Sequence, residues 1–128
     1  MAELVYPELS YTIVGILFKV HSELGGEFEE KYYQRAVETL LNKQHISYAK
    51  ELKTDLFFNE ENIGRFFLDF LIEEKVVLEL KATSVLQPAH FRQVKSYLIA
   101  HKIRLGILAN FRGKSLVYKR VLNSEGLA

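Results

Sequence analysis

The sequence predicts an α/β domain with a central mixed sheet flanked by helices, in the order α-α-β-β-β-α-β-β. Apolar residues recur at helical spacing in two N-terminal stretches. Three strand-like segments then follow one another across short turns. A helical stretch opened by Pro88 separates them from two more strand-like runs.

The first helix starts at Pro7, a residue suited to a first turn, and places Ile13, Ile16, Leu17, Val20 and Leu24 on one stripe. Gly25-Gly26 ends it. A second helix is expected from about Phe28 to Gln44, with Tyr33, Val37, Leu40 and Leu41 on its apolar side. Strands are expected near Ser47–Phe58, Ile63–Ile72 and Lys75–Ala82. The turns Asn59-Glu60-Glu61-Asn62 and Glu73-Glu74 would make these an antiparallel meander. A third helix runs from Pro88 to about His101, and Arg104–Phe111 and Ser115–Val121 read as strands around Arg112-Gly113-Lys114. No repeat, linker or low-complexity segment interrupts the 128 residues, which suit a single domain, 1–128.

Composition narrows the chemistry. No cysteine is present, which excludes disulfides, thiolate zinc sites and cysteine nucleophiles and suits a cytoplasmic protein. No run approaches the roughly 18 apolar residues of a membrane span, and the cluster Ile13 to Phe18 does not resemble a signal peptide. No glycine-rich phosphate loop, zinc-helix histidine pair or nucleophile elbow stands out. The net charge of +1 hides an asymmetry, because Ala82 to Ser124 holds no acid but carries Arg92, Lys95, Lys102, Arg104, Arg112, Lys114, Lys119 and Arg120. Such a segment is either a solvated face or a basic surface for phosphate backbones.

The second and third expected strands each carry an acid where a strand is most buried, Asp69 in Phe66–Leu71 and Glu79 in Val76–Lys81. Side chains alternate across a strand, so Glu79 and Lys81 project to one side, and a hairpin would bring Asp69 beside Glu79. Buried carboxylates are costly unless paired or bound to a cation. Two carboxylates and one ammonium can serve a hard divalent metal and an anionic substrate, or form a structural salt bridge at a sheet end. Of four Glu-x-Lys triplets, only Glu79-Leu80-Lys81 lies in a core-like strand directly after a strand containing an acid. Gln93 and Tyr97 share one face of the third helix. Glu30 and Tyr33 share a side of the second, where Glu30 could add a carboxylate or simply favour the helix dipole. His21 borders the stripe of the first helix, as a core-edge histidine or a ligand.

Together these residues resemble the PD-(D/E)XK nuclease superfamily, whose restriction-endonuclease-like core has the order helix, three-strand meander, helix, strand. Asp69 matches the first motif acid and Glu79-x-Lys81 the second motif. Gln93-x-x-x-Tyr97 is similar to the extra motif of the RecB-like branch, which also uses a histidine on an early helix, here His21. A closer resemblance is to the small-protein family named for its GxxExxY motif. It is carried by Val20-His21-Ser22-Glu23-Leu24-Gly25, Glu30-Lys31-Tyr32-Tyr33, Val77–Ala82, Ile107–Phe111 and Tyr118-Lys119-Arg120, and it spans about Ile13 to Val121. Glu27 replaces the motif's glycine, just after Gly25-Gly26, a small rearrangement of the interhelical turn.

The resemblance implies a magnesium- or manganese-dependent nuclease acting on nucleic acid, with DNA the favoured substrate. Asp69, Glu79 and the Leu80 backbone carbonyl would hold the metal, with Glu30 and His21 supporting it or a bound water. Lys81 would orient water or offset charge, and Gln93 and Tyr97 would position the phosphate or nucleotide. Arg92, Lys95, Arg112 and Lys114 would attract the substrate backbone. Two other expectations are a nuclease-fold module that binds nucleic acid without useful turnover, and an interaction subunit working with a protein partner or as a homodimer.

Overall fold

In the computed structural model, five strands form one sheet in the sequential order β1-β2-β3-β4-β5. The structure describes residues 5–123; residues 1–4 and 124–128, counted in the expected domain and including the end of the acid-free segment at Ser124, lie outside the described residues. The strands are β1 (Tyr48–Phe58), β2 (Glu61–Ile72), β3 (Val76–Lys81), β4 (Leu105–Asn110) and β5 (Val117–Leu122). β1, β2 and β3 form the antiparallel meander expected from the turns. β3 and β4 are parallel, joined through α3 (Pro88–His101), and β5 returns antiparallel to β4. The parallel pair is the sheet's centre, and both strands are apolar and buried almost throughout, as a strand covered on both faces requires.

Helices α1 (Pro7–Leu24) and α2 (Glu30–Lys43) cover one face. Their Ile13, Leu17, Tyr33, Val37 and Leu41 pack with Phe70, Leu78, Leu80, Ile107 and Phe111. Helix α3 covers the other face, where Val94, Tyr97 and Leu98 meet Leu52, Leu68, Val77 and Val121. This approach is close: a Cβ on Gly106 would lie 2.6 Å from Val94 Cγ1. α2 begins at Glu30 rather than Phe28, because the loop before it is held by other partners. The Phe28 N–H donates to the Tyr33 hydroxyl at 3.2 Å, and its carbonyl accepts from Arg112 at 3.1 Å. β2 begins two residues earlier than expected because Asn59 and Glu60, with φ of 48° and 67°, make the turn alone.

The β1–β2 hairpin changes face part way along. Tyr48, Phe70 and Ile72 belong to the α1/α2 core, yet Leu52 and Leu68, at positions of the same parity, belong to the α3 core. The change falls where pairing passes from Lys50–Phe70 to Leu52–Leu68, skipping Glu51 and Asp69, and Glu51 there takes a left-handed φ of 58°. Asp69 therefore sits where the hairpin rolls over, and neither core has to accommodate its carboxylate.

Two glycine substitutions should act in opposite directions in urea unfolding. A Cβ on Gly26 would come within 2.9 Å of the Phe111 and Arg112 carbonyl oxygens, so Gly26→Ala should cost at least about 1–3 kcal/mol. Gly15 is exposed within α1 with no atom within 4 Å of its Cβ position, so Gly15→Ala should stabilise by about 0.5–1 kcal/mol.

Candidate active site

The last ladder pair between β2 and β3 is Phe70–Leu78. One step further the strands part, and Asp69 and Glu79 face each other across the opening. Their side chains take over the missing ladder bonds. The Asp69 N–H donates to Glu79 Oε1 at 2.9 Å, and the Leu80 N–H donates to Asp69 Oδ2 at 2.8 Å. Each carboxylate is thus fixed by a backbone amide of the opposite strand, a charge-assisted geometry.

Glu30 enters from the first turn of α2. One oxygen each from Glu30, Asp69 and Glu79 lie within 4.8 Å of one another. Lys81 lies on the same side as Glu79, its Nζ 3.2 Å from Glu79 Oε2 and 4.0 Å from Glu30 Oε1. The Glu79 side chain is only 4% exposed. Three carboxylates against one ammonium leave negative charge in a largely buried place. Burial raises the Asp69 pKa to about 8, the Glu79 charge adds to the rise, and the Leu80 amide opposes it. Burial also raises Glu79, against Lys81 and the Asp69 amide. Burial lowers Lys81, but Glu79 and Glu30 outweigh it and hold the ammonium above its ordinary value. The donors are all oxygen and short of positive charge, which fits a hard divalent cation.

The structure thus brings together Glu30, Asp69, Glu79 and Lys81, with Leu80 contributing an amide. His21 is elsewhere. Its Nε2 lies 3.0 Å from the Gly113 carbonyl oxygen and its ring packs near Phe111, so the expected ligand role is replaced by a tie between α1 and the β4–β5 turn. Gln93 and Tyr97 make no hydrogen bond to the cluster among the described residues. Tyr97 packs with Leu68 and Val77 and stacks on His101 at 4.0 Å, because its position on α3 faces the second core. Arg112, expected on a nucleic-acid surface, is instead spent inside the fold. Its guanidinium donates to the carbonyls of Gly26 at 2.8 Å, Phe28 at 3.1 Å and Ala82 at 3.3 Å. Arg120, from the same basic segment, bonds Ser10 and the Val5 carbonyl. Arg92 and Lys95 are exposed on α3, and Lys114 is exposed in the β4–β5 turn.

Two neighbours were not expected from sequence. Gln34 donates from Nε2 to Asp69 Oδ1 at 2.8 Å and lies 3.5 Å from Glu30 Oε1. Its signal was present, since it follows Glu30 by four residues on one helix face. His90, in the first turn of α3, accepts the Gln87 N–H on Nδ1 at 3.0 Å. Burial and the Lys81 charge hold its pKa down, with Glu30 opposing.

Because Asp69 and Glu79 hold protons more tightly folded than unfolded, the native state binds more protons between about pH 4 and pH 8. Unfolding free energy should therefore fall as pH rises through that window. Asp69→Asn should remove most of this slope in pH-dependent urea unfolding. A slope as steep in the variant would place the burden on other groups. Arg112→Ala should destabilise by about 2–3 kcal/mol through lost charge-assisted bonds to carbonyls, read in the same assay.

A family model described as the PD-(D/E)XK nuclease superfamily matches residues 7–121. None of the curated proteins searched matches the chain. Among solved structures, the chain is similar to one titled "Crystal structure of SSO0001", with a TM-score of 0.57 and 16% identity. The match covers 73% of this chain and 50% of the other, so the chain spans half the length of that structure. At that identity the likeness bears on fold alone, and it agrees with the mixed five-stranded sheet and flanking helices. With the family model covering nearly its whole length, the chain belongs to the PD-(D/E)XK nuclease superfamily.

Proposed function

We propose that this chain is a metal-dependent nuclease that hydrolyses phosphodiester bonds of nucleic acid, with DNA the favoured substrate. The observation that carries this reading is the meeting of Glu30, Asp69 and Glu79 oxygens within 4.8 Å beside the Lys81 ammonium. Glu30, Asp69, Glu79 and the Leu80 carbonyl would hold Mg2+ or Mn2+. A cation held there supplies Lewis acidity toward phosphate oxygens and toward an attacking water.

The chain's own groups have separable tasks. Lys81, kept protonated by Glu79 and Glu30, acts as a fixed positive charge for the phosphoryl oxygens rather than as a base. The Leu80 amide and Gln34 hold the Asp69 carboxylate in one orientation, so little rearrangement is needed when substrate arrives. The placement of Glu30 one turn before the buried Tyr33 supports the finer likeness to the GxxExxY family. The RecB-like likeness rests on the spacing of Gln93 and Tyr97 and on the early-helix His21.

A second reading, an interaction subunit or homodimer, is favoured by the outer half of the β1–β2 hairpin. Leu56, Phe57, Phe58, Ile63 and Phe67 there are each about half exposed or more. Among the described residues no helix is long and apolar enough to cross a membrane.

Single-turnover cleavage of labelled DNA and RNA, with and without magnesium or manganese, tests the reading. Asp69→Asn, Glu79→Gln and Lys81→Ala should each slow cleavage by roughly two to three orders of magnitude at saturating substrate. For Lys81→Ala, binding should change little, because its contribution belongs mainly to the transition state. Wild-type cleavage rates in that variant would sink the mechanism and leave a binding module. Magnesium should also raise the melting temperature of the wild type and not of Asp69→Asn, since a ligand of the folded state stabilises it.

A further inference from the structure

The cluster opens on one side into a cavity of about 320 Å3 between α2 and the hairpin. Asp69 and Gln34 form part of its wall, Lys31, Arg35 and Lys50 bring positive charge to it, and Glu38 and Glu51 bring negative charge. Lys50 is engaged by Glu38 at 3.1 Å. Lys31 and Arg35 have no carboxylate partner among the described residues. Instead they flank an aromatic ring: Lys31 Nζ lies 5.2 Å and the Arg35 guanidinium 5.7 Å from the centre of Tyr32.

Tyr32 does not belong to the core. It is 41% exposed, whereas its neighbour Tyr33 is fully buried. Beside it stands Phe28, 45% exposed, with ring centres 6.0 Å apart in an edge-to-face arrangement. Phe28 is not a loosely hung side chain, since its N–H and carbonyl are both taken, by Tyr33 and Arg112. Lys31, Tyr32 and Arg35 stand on the first two turns of α2, and Phe28 stands in the loop just before its N-cap Glu29. The result is a ledge of two exposed rings on a rigid backbone, bordered by two cations that also wall a cavity ending at Asp69.

We propose that Phe28 and Tyr32 each stack one unpaired base of a single-stranded nucleic acid, DNA or RNA, while Lys31 and Arg35 hold the strand's phosphates on the way to the carboxylate cluster. This rests on the nuclease reading and names its substrate class. Base faces inside a duplex are covered by their neighbours, so an aromatic ledge selects strands whose bases can be splayed out. Aromatic stacking with flanking cations is a sequence-tolerant way to hold a single strand. A base that takes the Tyr32 face displaces the Lys31 and Arg35 heads from the ring toward its own phosphates. The strand then runs along α2, away from the expected surface at Arg112 and Lys114.

The test is binding in EDTA, where turnover plays no part. Fluorescence anisotropy would use labelled oligothymidylate, oligouridylate and a blunt DNA duplex of equal length. The intact chain should bind at least one single strand more tightly than the duplex. Tyr32→Ala and Phe28→Ala should each weaken single-strand binding by about tenfold, the scale of one lost stacking contact, and leave duplex binding within about twofold. Tyr32→Phe should retain wild-type affinity. A 2-aminopurine base in the bound strand should be quenched by wild type and Tyr32→Phe but not by Tyr32→Ala, a signature that loss of charge would not produce. Both rings are exposed, and melting curves would confirm that the variants fold. Tyr32→Ala binding single strands like wild type, or a wild type that prefers the duplex, would overturn the ledge. Magnesium-dependent cleavage that survives such a result would leave the nuclease reading standing. A ledge signature without cleavage would uphold the ledge and remove turnover.

Discussion

Where β2 and β3 part, the amide of each strand is held by a carboxylate of the other, and this reciprocal clamp organises the rest of the site. An open ladder end normally turns its amides to water. Here Asp69 and Glu79 fill that role from inside the sheet, so both carboxylates are held in fixed orientations. The arrangement is costly. Burial pushes both acids upward, the Glu79 charge adds to the rise at Asp69, and the one nearby ammonium offsets only part of the charge.

Around this clamp, much of the charged and aromatic inventory is structural. Arg112 draws the loop before α2 onto the β4–β5 turn and onto the end of β3, through carbonyls of Gly26, Phe28 and Ala82. His21 and Tyr33 brace the same junction, Tyr33 by donating to the Gly25 carbonyl at 2.6 Å and stacking on Phe111 at 4.5 Å. Gly26 permits the close backbone approach that this requires. Together these contacts set the start of α2, and the start of α2 sets Glu30. They position the site without touching it.

Much of the fold was legible because it rests on local pattern. Pro7 and Gly25 bound α1, and Pro88 opens α3. The short turns between apolar strands announce the meander. The pairing of Asp69 with Glu79 was legible for a related reason, since the short turn sets the register that puts residue 69 opposite residue 79, and parity within β3 puts Lys81 beside Glu79. Gln93 and Tyr97 show the opposite: helical spacing puts them on one face, but which face meets the cluster depends on how α3 rolls on the sheet. Helical spacing ties Gln34 to Glu30 but not to Asp69, because that partner lies 35 residues away.

The sequence by itself determined the order of elements, the two helical stripes and an acid in each of two neighbouring apolar strands, because these follow from periodicities of 3.6 and 2 along the chain. Only the tertiary structure decided which polar groups were already spent. Arg112 and His21 look free in the sequence and are consumed by carbonyls 30 to 92 residues distant. Strand parity also reversed at Glu51 and Asp69, which no alternating pattern would reveal. The physical reason is common to both. Hydrogen-bond satisfaction and the facing of a twisted hairpin are properties of chain segments in contact, and they have no value until those segments meet.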